Sequence, residues 1–98
     1  MSPIYILATK LQNPSLVRNR KEHGEEFLKL VKDKVPNVTW IAHYAILGPY
    51  DFIDIFEADN EHEAAKVSLL SRTAGAAFAE SWTAIKYPEF LKLIEDLE

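Results

Sequence analysis

The chain has 98 residues, of which 48% are hydrophobic and 11% aromatic, with no cysteine and a formal charge of −4. This length predicts one domain, and the apolar fraction and modest charge argue against a disordered chain. The lack of cysteine excludes disulfide scaffolds, thiolate metal sites and cysteine nucleophiles. The acidic balance argues against nucleic acid as a partner, because phosphate binding needs clustered lysine and arginine.

No segment has the pattern of a targeting or membrane-spanning element. Residues 1–9 lack the basic start of a secretory signal peptide. The longest run without formal charge, residues 35–50, is interrupted by Pro36 and Gly48 and is too short for a membrane helix. We therefore expect a cytoplasmic protein that does not enter a membrane.

Residues 4–11 predict a first strand, followed by Asn13 and Pro14, which favour the start of a helix. Because both faces of this strand are apolar, we expect it at the centre of its sheet. Apolar residues then recur at helical spacing up to Pro36, which predicts an amphipathic helix. Gly24 lies on its apolar face, so we expect the helix backbone to approach the sheet closely there.

Two further strands are predicted at 38–47 and 52–56. The intervening residues, 48–51, combine glycine, proline and aspartate in a turn, so the two strands form a hairpin. Strict alternation along the first of these strands places Trp40 and His43 on opposite faces.

The last part of the chain predicts a helix, a strand and a second helix. Asn60, with Glu63 three residues later, resembles a capping box at the start of the first helix. A strand at 77–86 follows, and a short amphipathic helix begins at Tyr87 and Pro88. A helix of this length is marginal in water by itself, so we expect it to dock on another surface.

The order β-α-β-β-α-β with a terminal helix predicts the α+β ferredoxin-like fold, an antiparallel sheet with helices on one face. We assign one domain to 1–98, with a core at 4–86 and a C-terminal helical extension at 87–98. The sheet face without helices carries large apolar groups in either register, which favours association. A two-fold homodimer through this face covers it most simply, and a higher oligomer is the alternative.

The hairpin and the strand after it resemble the GYD family, small bacterial and archaeal proteins named for a Gly-x-Tyr-Asp hairpin. In that family an apolar strand ending in Glu-Ala follows the hairpin. The first strand is also similar, and the resemblance covers residues 4–86; the helix at 87–98 departs from it. The matching positions are Gly48, Tyr50 and Asp51, the strand 52–56, and Glu57-Ala58.

The resemblance implies a dimeric α/β barrel. That superfamily also holds effector domains of leucine-responsive regulators, whose hairpin has a similar motif, together with cofactor-free monooxygenases and muconolactone-type isomerases. It implies no established activity for the GYD family itself, and fold alone does not define chemistry.

Five side chains are candidate ligand contacts: His43, Tyr50, Asp51, Asp54 and Trp82. His43 lies on a strand and could act as a general base near neutral pH, or could be a structural histidine bonded to backbone or carboxylate. Its polar neighbours on adjacent strands would be Thr9, Asp54 or Thr83. Tyr50 and Asp51 could face a ligand, or could simply complete the turn.

Asp54 lies between Phe52 and Phe56 on one face of a strand, where burial would raise its pKa. It could be a pocket acid, the ion-pair partner of Lys10 or Lys86, or an exposed carboxylate on an edge strand. Aromatic side chains at strand spacing could line a flat apolar ligand site, or could fill the core or an interface: Trp40, Tyr44, Phe78 and Trp82.

We expect no cofactor and no bound metal. The three glycines cannot supply a nucleotide-binding loop, and the acidic and histidine positions around residues 22–26 and 61–63 do not form a closed ligand set.

Three functions remain open. The first is a module that binds a small apolar or aromatic ligand, or that mediates assembly. The second is an enzyme resembling the cofactor-free monooxygenases or isomerases, with His43 or Asp54 as base and Trp82 shaping a pocket between sheet and helices. The third is a structural role of the helix at 87–98 in a larger oligomer.

Overall fold

The computed structural model describes residues 3–12 and 20–98, which form one four-stranded antiparallel sheet and three helices. This confirms the predicted α+β ferredoxin-like fold with a C-terminal helix. The predicted helix start at Asn13 and Pro14 lies outside the described residues. In chain order the elements are β1 (Ile4–Leu11), α1 (Arg20–Lys34), β2 (Thr39–Ala45), β3 (Phe52–Glu57), α2 (Glu61–Thr73), β4 (Ala76–Ala84) and α3 (Tyr87–Leu97).

β1 lies inside the sheet, whose strand order is β2-β3-β1-β4. It pairs antiparallel with β3 on one side and β4 on the other, as expected from its two apolar faces. Leu7 of β1 lies opposite both Asp54 of β3 and Ser81 of β4. Because directly opposite residues point to the same side of a sheet, these three side chains share one face.

The core lies between this face of the sheet and the helices α1 and α2. Phe56 is fully buried, with the rings of Tyr5 and Trp40 stacked at centroid distances of 5.7 and 5.3 Å. Phe27 of α1 meets Trp40 edge-on at 5.8 Å. These ring contacts join three strands to α1. Burial of each large side chain contributes roughly 1.5–3 kcal/mol to the free energy of unfolding.

A bulge in β2 changes which side chains face the helices. Trp40 pairs with Phe56 and His43 pairs with Asp54, so three steps along β2 match two along β3. Ile41 lies within this bulge, which interrupts the alternation of the strand. Trp40 and His43 therefore share the helix-covered face, and the expectation that they lie on opposite faces is wrong.

The opposite side of the sheet, here called the open face, is not covered by α1 or α2. Tyr44, Phe78 and Trp82 are 56%, 57% and 40% exposed on this side. Isoleucines of the two central strands lie between them and are half-buried: Ile6, Ile53 and Ile55. The structure thus has the exposed apolar sheet surface that the sequence predicts.

α3 has no buried residue, and all of its large apolar side chains are exposed: Tyr87, Phe90, Leu91, Leu93, Ile94 and Leu97. The described part of the chain therefore does not supply the docking surface that this helix was expected to need. No helix within residues 3–12 and 20–98 is both long enough and apolar enough to cross a bilayer.

Candidate functional site

A cleft of about 260 Å³ lies between α1 and the edge of the sheet formed by β2 and β3. A side chain added at Gly24, on its wall, would meet nothing within 4 Å. The expected close approach of the helix backbone to the sheet at Gly24 is therefore wrong, and the small residue leaves room in the cleft. The walls are formed by Arg20, Lys21, Gly24, Glu25, Phe27 and Leu28 from α1, and by His43 and Asp54 from the sheet.

The polar centre of the cleft is a hydrogen-bonded pair of Asp54 and His43. Asp54 is 3% exposed, and its Oδ1 bonds Nδ1 of His43. The His43 side chain is 49% exposed, so one side of the ring remains open to the cleft. Of the polar neighbours considered from sequence, the structure brings Asp54 to His43, and the ring nitrogen Nε2 is left for another partner.

Arg20 and His43 both contact the ring of Phe52. Its guanidinium carbon lies 4.1 Å from the centroid of the Phe52 ring, and the His43 ring stacks on Phe52 at 5.7 Å with an interplanar angle of 13°. A cation over an aromatic face is favourable by about 0.5–1 kcal/mol at exposed sites. The sequence pattern does not single out Arg20. A carboxylate between two phenylalanines favours a cationic neighbour, but only the fold selects which one.

The ionisation of this site reflects its removal from water. Burial raises the pKa of the Asp54 carboxyl above its ordinary value of 3.8, and the neighbouring His43 and Arg20 oppose the rise. Burial also lowers the pKa of the Arg20 guanidinium below its ordinary value, and the charge of Asp54 opposes that shift. The cleft therefore holds opposite charges in partly dehydrated surroundings, where electrostatic interactions are stronger than in bulk water.

Asp54→Asn should make the free energy of unfolding less dependent on pH as pH rises from about 3.8 through the raised pKa of Asp54. Because the folded-state pKa of Asp54 is raised, the folded chain holds this proton more tightly than the unfolded chain does. The stability contributed by Asp54 is then complete below the ordinary pKa of 3.8 and is lost as pH rises through the raised value. Each unit by which folding raises the pKa of Asp54 corresponds to about 1.4 kcal/mol of stability lost when the carboxyl ionises.

Urea unfolding of the natural chain and the variant across this pH range provides the measurement. The variant should gain stability relative to the natural chain as pH rises. Asp96→Asn on the exposed side of α3 is the matched control and should show no such trend. The same trend in both variants would contradict a raised pKa at Asp54.

Asp51 is held by the backbone at the end of β1. Its Oδ2 accepts a hydrogen bond from the N–H of Leu11 at 2.7 Å, and its own N–H donates to the carbonyl of Thr9 at 2.8 Å. Its carbonyl accepts from the N–H of Ile46 at 2.9 Å. These bonds fasten the hairpin to β1, and Asp51 lies outside the cleft that contains Asp54.

Tyr50 and Trp82 meet on the open face around a carboxylate that sequence analysis missed, Glu80. The Tyr50 hydroxyl and the Trp82 indole N–H both donate to Glu80 Oε2, at 3.3 and 2.8 Å, and the two rings meet edge-on at 5.7 Å. Desolvation and then the charge of Glu80 raise the pKa of Tyr50 above its ordinary value. One sequence feature could have identified Glu80: it is an isolated charge on an apolar strand, close to Trp82.

The five candidate ligand contacts therefore do not form one site. Trp82 pairs with Ile6 on the open face, whereas His43 and Asp54 face α1. The hypothesis of one pocket in which Trp82 lies beside His43 is therefore wrong. No group of three or more histidine, aspartate or glutamate side chains among the described residues could hold a metal ion.

The fold and the site together define a ferredoxin-like α+β domain with an open apolar sheet face and a cleft under its first helix. The GYD domain model matches residues 5–94 of the chain. This chain therefore belongs to the GYD domain family. The match extends beyond the sheet into α3.

Two known proteins are similar to this chain. A "Glutamine synthetase and cystathionine beta-lyase binding protein" of Thermus thermophilus is 28% identical over 92 residues, covering 91% of this chain and 95% of that protein. The crystal structure of MtbAldR matches with a TM-score of 0.64 and 14% identity over 88% of this chain, a likeness that shows the fold alone. The chain spans only 55% of MtbAldR.

Proposed function

We propose that this chain is a homodimeric module that acts by binding another protein rather than by catalysis. The observation that supports association is the open face, the intended homodimer surface. Tyr44, Phe78 and Trp82 are exposed there beside half-buried isoleucines. A contiguous apolar surface of this kind is unfavourable in water. A second copy, related by a two-fold axis, covers it with the same residues from each chain.

The carboxylate on the open face, Glu80, already has hydrogen-bond donors from its own chain, which favours burial of this face. Glu80 accepts hydrogen bonds from both Tyr50 and Trp82. A buried carboxylate without partners is costly. Because Glu80 has two donors within its own chain, a second copy can cover it with less loss of hydration energy.

The proposed partner of the dimer is a metabolic enzyme such as the glutamine synthetase of the same organism. The name of the Thermus thermophilus relative, a binding protein for two enzymes, supports a protein partner. α3 is the surface offered to it, because its apolar side chains are exposed and none of its residues is buried. An amphipathic helix binds in an apolar groove through side chains spaced three and four residues apart.

Leu91→Ser with Ile94→Ser should weaken binding to that enzyme at least about tenfold, since burying each aliphatic side chain contributes roughly 1.5–3 kcal/mol and 1.4 kcal/mol is a factor of ten. Lys92→Ser with Glu95→Ser is the matched control: it has the same spacing on the polar side of α3 and should leave binding unchanged. Purified enzyme, immobilised and titrated with each variant, provides the affinity, and sedimentation provides the mass of each variant alone.

Two outcomes would contradict the proposal. If the natural chain forms no saturable complex with either enzyme named for the relative, the protein-binding function is wrong. If Leu91→Ser with Ile94→Ser abolishes the dimer itself, α3 belongs to the homodimer interface and not to the enzyme-binding surface.

The alternative function is an enzyme resembling the cofactor-free monooxygenases or isomerases. The His43–Asp54 pair favours it, because a carboxylate that orients a histidine is a common arrangement for a general base. Such an enzyme also needs an enclosed apolar cavity, and here His43 is half exposed while Trp82 lies on the other side of the sheet. The binding function is therefore better supported.

A further inference from the structure

We propose that the cleft between α1 and the β2–β3 edge binds a small monocarboxylate with an apolar or aromatic body, held by Arg20 and His43. This inference goes beyond the protein-binding function. The cleft lies on the helix-covered side of the sheet, whereas the homodimer is proposed to form through the opposite side. Ligand binding and dimer formation therefore succeed or fail independently.

The charges of the cleft favour a single negative charge. Arg20 and Lys21 of α1 face Glu25 of the same helix and the buried Asp54 of β3. These four charges cancel when His43 is neutral. Protonation of His43 leaves one positive charge in the cleft, which a monoanion neutralises.

The hydrogen bonding favours a carboxylate. Asp54 occupies Nδ1 of His43 and so fixes the ring, which leaves Nε2–H of the protonated ring as a donor. The guanidinium of Arg20 lies over Phe52 and has several N–H donors in one plane. Bonds from such cations to a carboxylate are about twice as strong as those between neutral groups. One carboxylate can accept from both side chains.

The remaining wall of the cleft is apolar and limits the size of the ligand. Phe27 and Leu28 line it together with Gly24, where an added side chain would meet nothing within 4 Å. Its volume of about 260 Å³ lies below the range of roughly 300–1,000 Å³ that holds drug-sized molecules. A single ring or a short branched chain attached to the carboxylate suits this space.

Benzoate is the probe, and benzyl alcohol is its neutral counterpart of similar shape. In NMR titrations of the histidine rings, benzoate should shift the signals of His43 with saturation and leave those of the exposed His62 unchanged. Benzyl alcohol should bind at least about tenfold more weakly, because it cannot make the charge-assisted bonds.

Two variants test the site without removing its core. Arg20→Gln should weaken benzoate binding at least about tenfold, and Arg72→Gln on α2 is the matched control that should not change it. Gly24→Leu should abolish binding by filling the cleft. This variant should still fold, because leucine is favoured over glycine within a helix by roughly 1 kcal/mol.

The expected result is that His43 responds selectively, that benzoate is preferred over benzyl alcohol, and that binding is lost in Gly24→Leu. Equal binding of the two probes, similar shifts at His62, or unchanged binding in Gly24→Leu would each overturn the proposal. Ile55→Glu, a change on the open face, should leave benzoate affinity unchanged. A failure of dimer formation can therefore be distinguished from a failure of this site.

Discussion

Phe56→Ala should lower the free energy of unfolding by about 3–5 kcal/mol. Phe56 is fully buried and is stacked with Tyr5 and Trp40, so truncation removes ring contacts on both sides and leaves a cavity under α1. The total free energy of unfolding of a small domain is only about 5–15 kcal/mol. The variant should therefore be close to unfolding at room temperature.

Urea unfolding followed by circular dichroism and tryptophan fluorescence measures this loss. Phe78→Ala is the matched control, because it makes the same chemical change on the open face, where Phe78 is 57% exposed. Its effect should be under about 1 kcal/mol in dilute solution. It should grow with chain concentration, because the proposed homodimer would bury Phe78. Equal losses for the two variants in dilute chain would contradict the assignment of the core to the helix-covered face.

Ile55→Glu should convert the proposed homodimer to a monomer and raise its dissociation constant at least about 100-fold, or roughly 3 kcal/mol. Ile55 lies within the open face, opposite Ile6 of β1 and Ala42 of β2. In a two-fold dimer the substitution places one charge from each chain in the same apolar interface, where unpaired charges are costly.

Sedimentation over a range of concentrations measures the change in association. Leu69→Glu on α2 is the matched control, because Leu69 is 59% exposed on the side away from the open face. It should remain dimeric, and both variants should keep the circular dichroism of the natural chain. A natural chain that is monomeric at high concentration, or an Ile55→Glu variant that remains dimeric, would show that the open face is not the homodimer interface.

Most of the fold could be predicted because its signals are local. The two apolar faces of β1 indicated its inner position in the sheet. Asn60 was predicted to begin a helix, and its side chain accepts a hydrogen bond from the N–H of Glu63 at 3.0 Å. Capping and apolar periodicity depend on residues within one or two turns, so the sequence alone displays them.

The candidate site could be predicted only in part. Asp54 was expected to be expensive to bury without a partner, but the choice among His43, Lys10 and Lys86 depended on strand pairing. The bulge at Ile41 brings His43 to the side of Asp54, and no residue type within β2 signals it. Arg20 was missed because helical spacing does not show which cation will lie over Phe52.

The length and composition predicted one small domain and excluded thiolate chemistry. The pattern along the chain determined its elements, their order and a surplus of apolar sheet surface. Only the tertiary structure decided the side of the sheet on which each candidate residue lies. It separated Trp82 and Tyr50 from His43 and Asp54, and it opened a cleft at Gly24. The physical reason is that periodicity is local, whereas the facing of a strand residue depends on its pairing with a distant strand, where one extra residue reverses it.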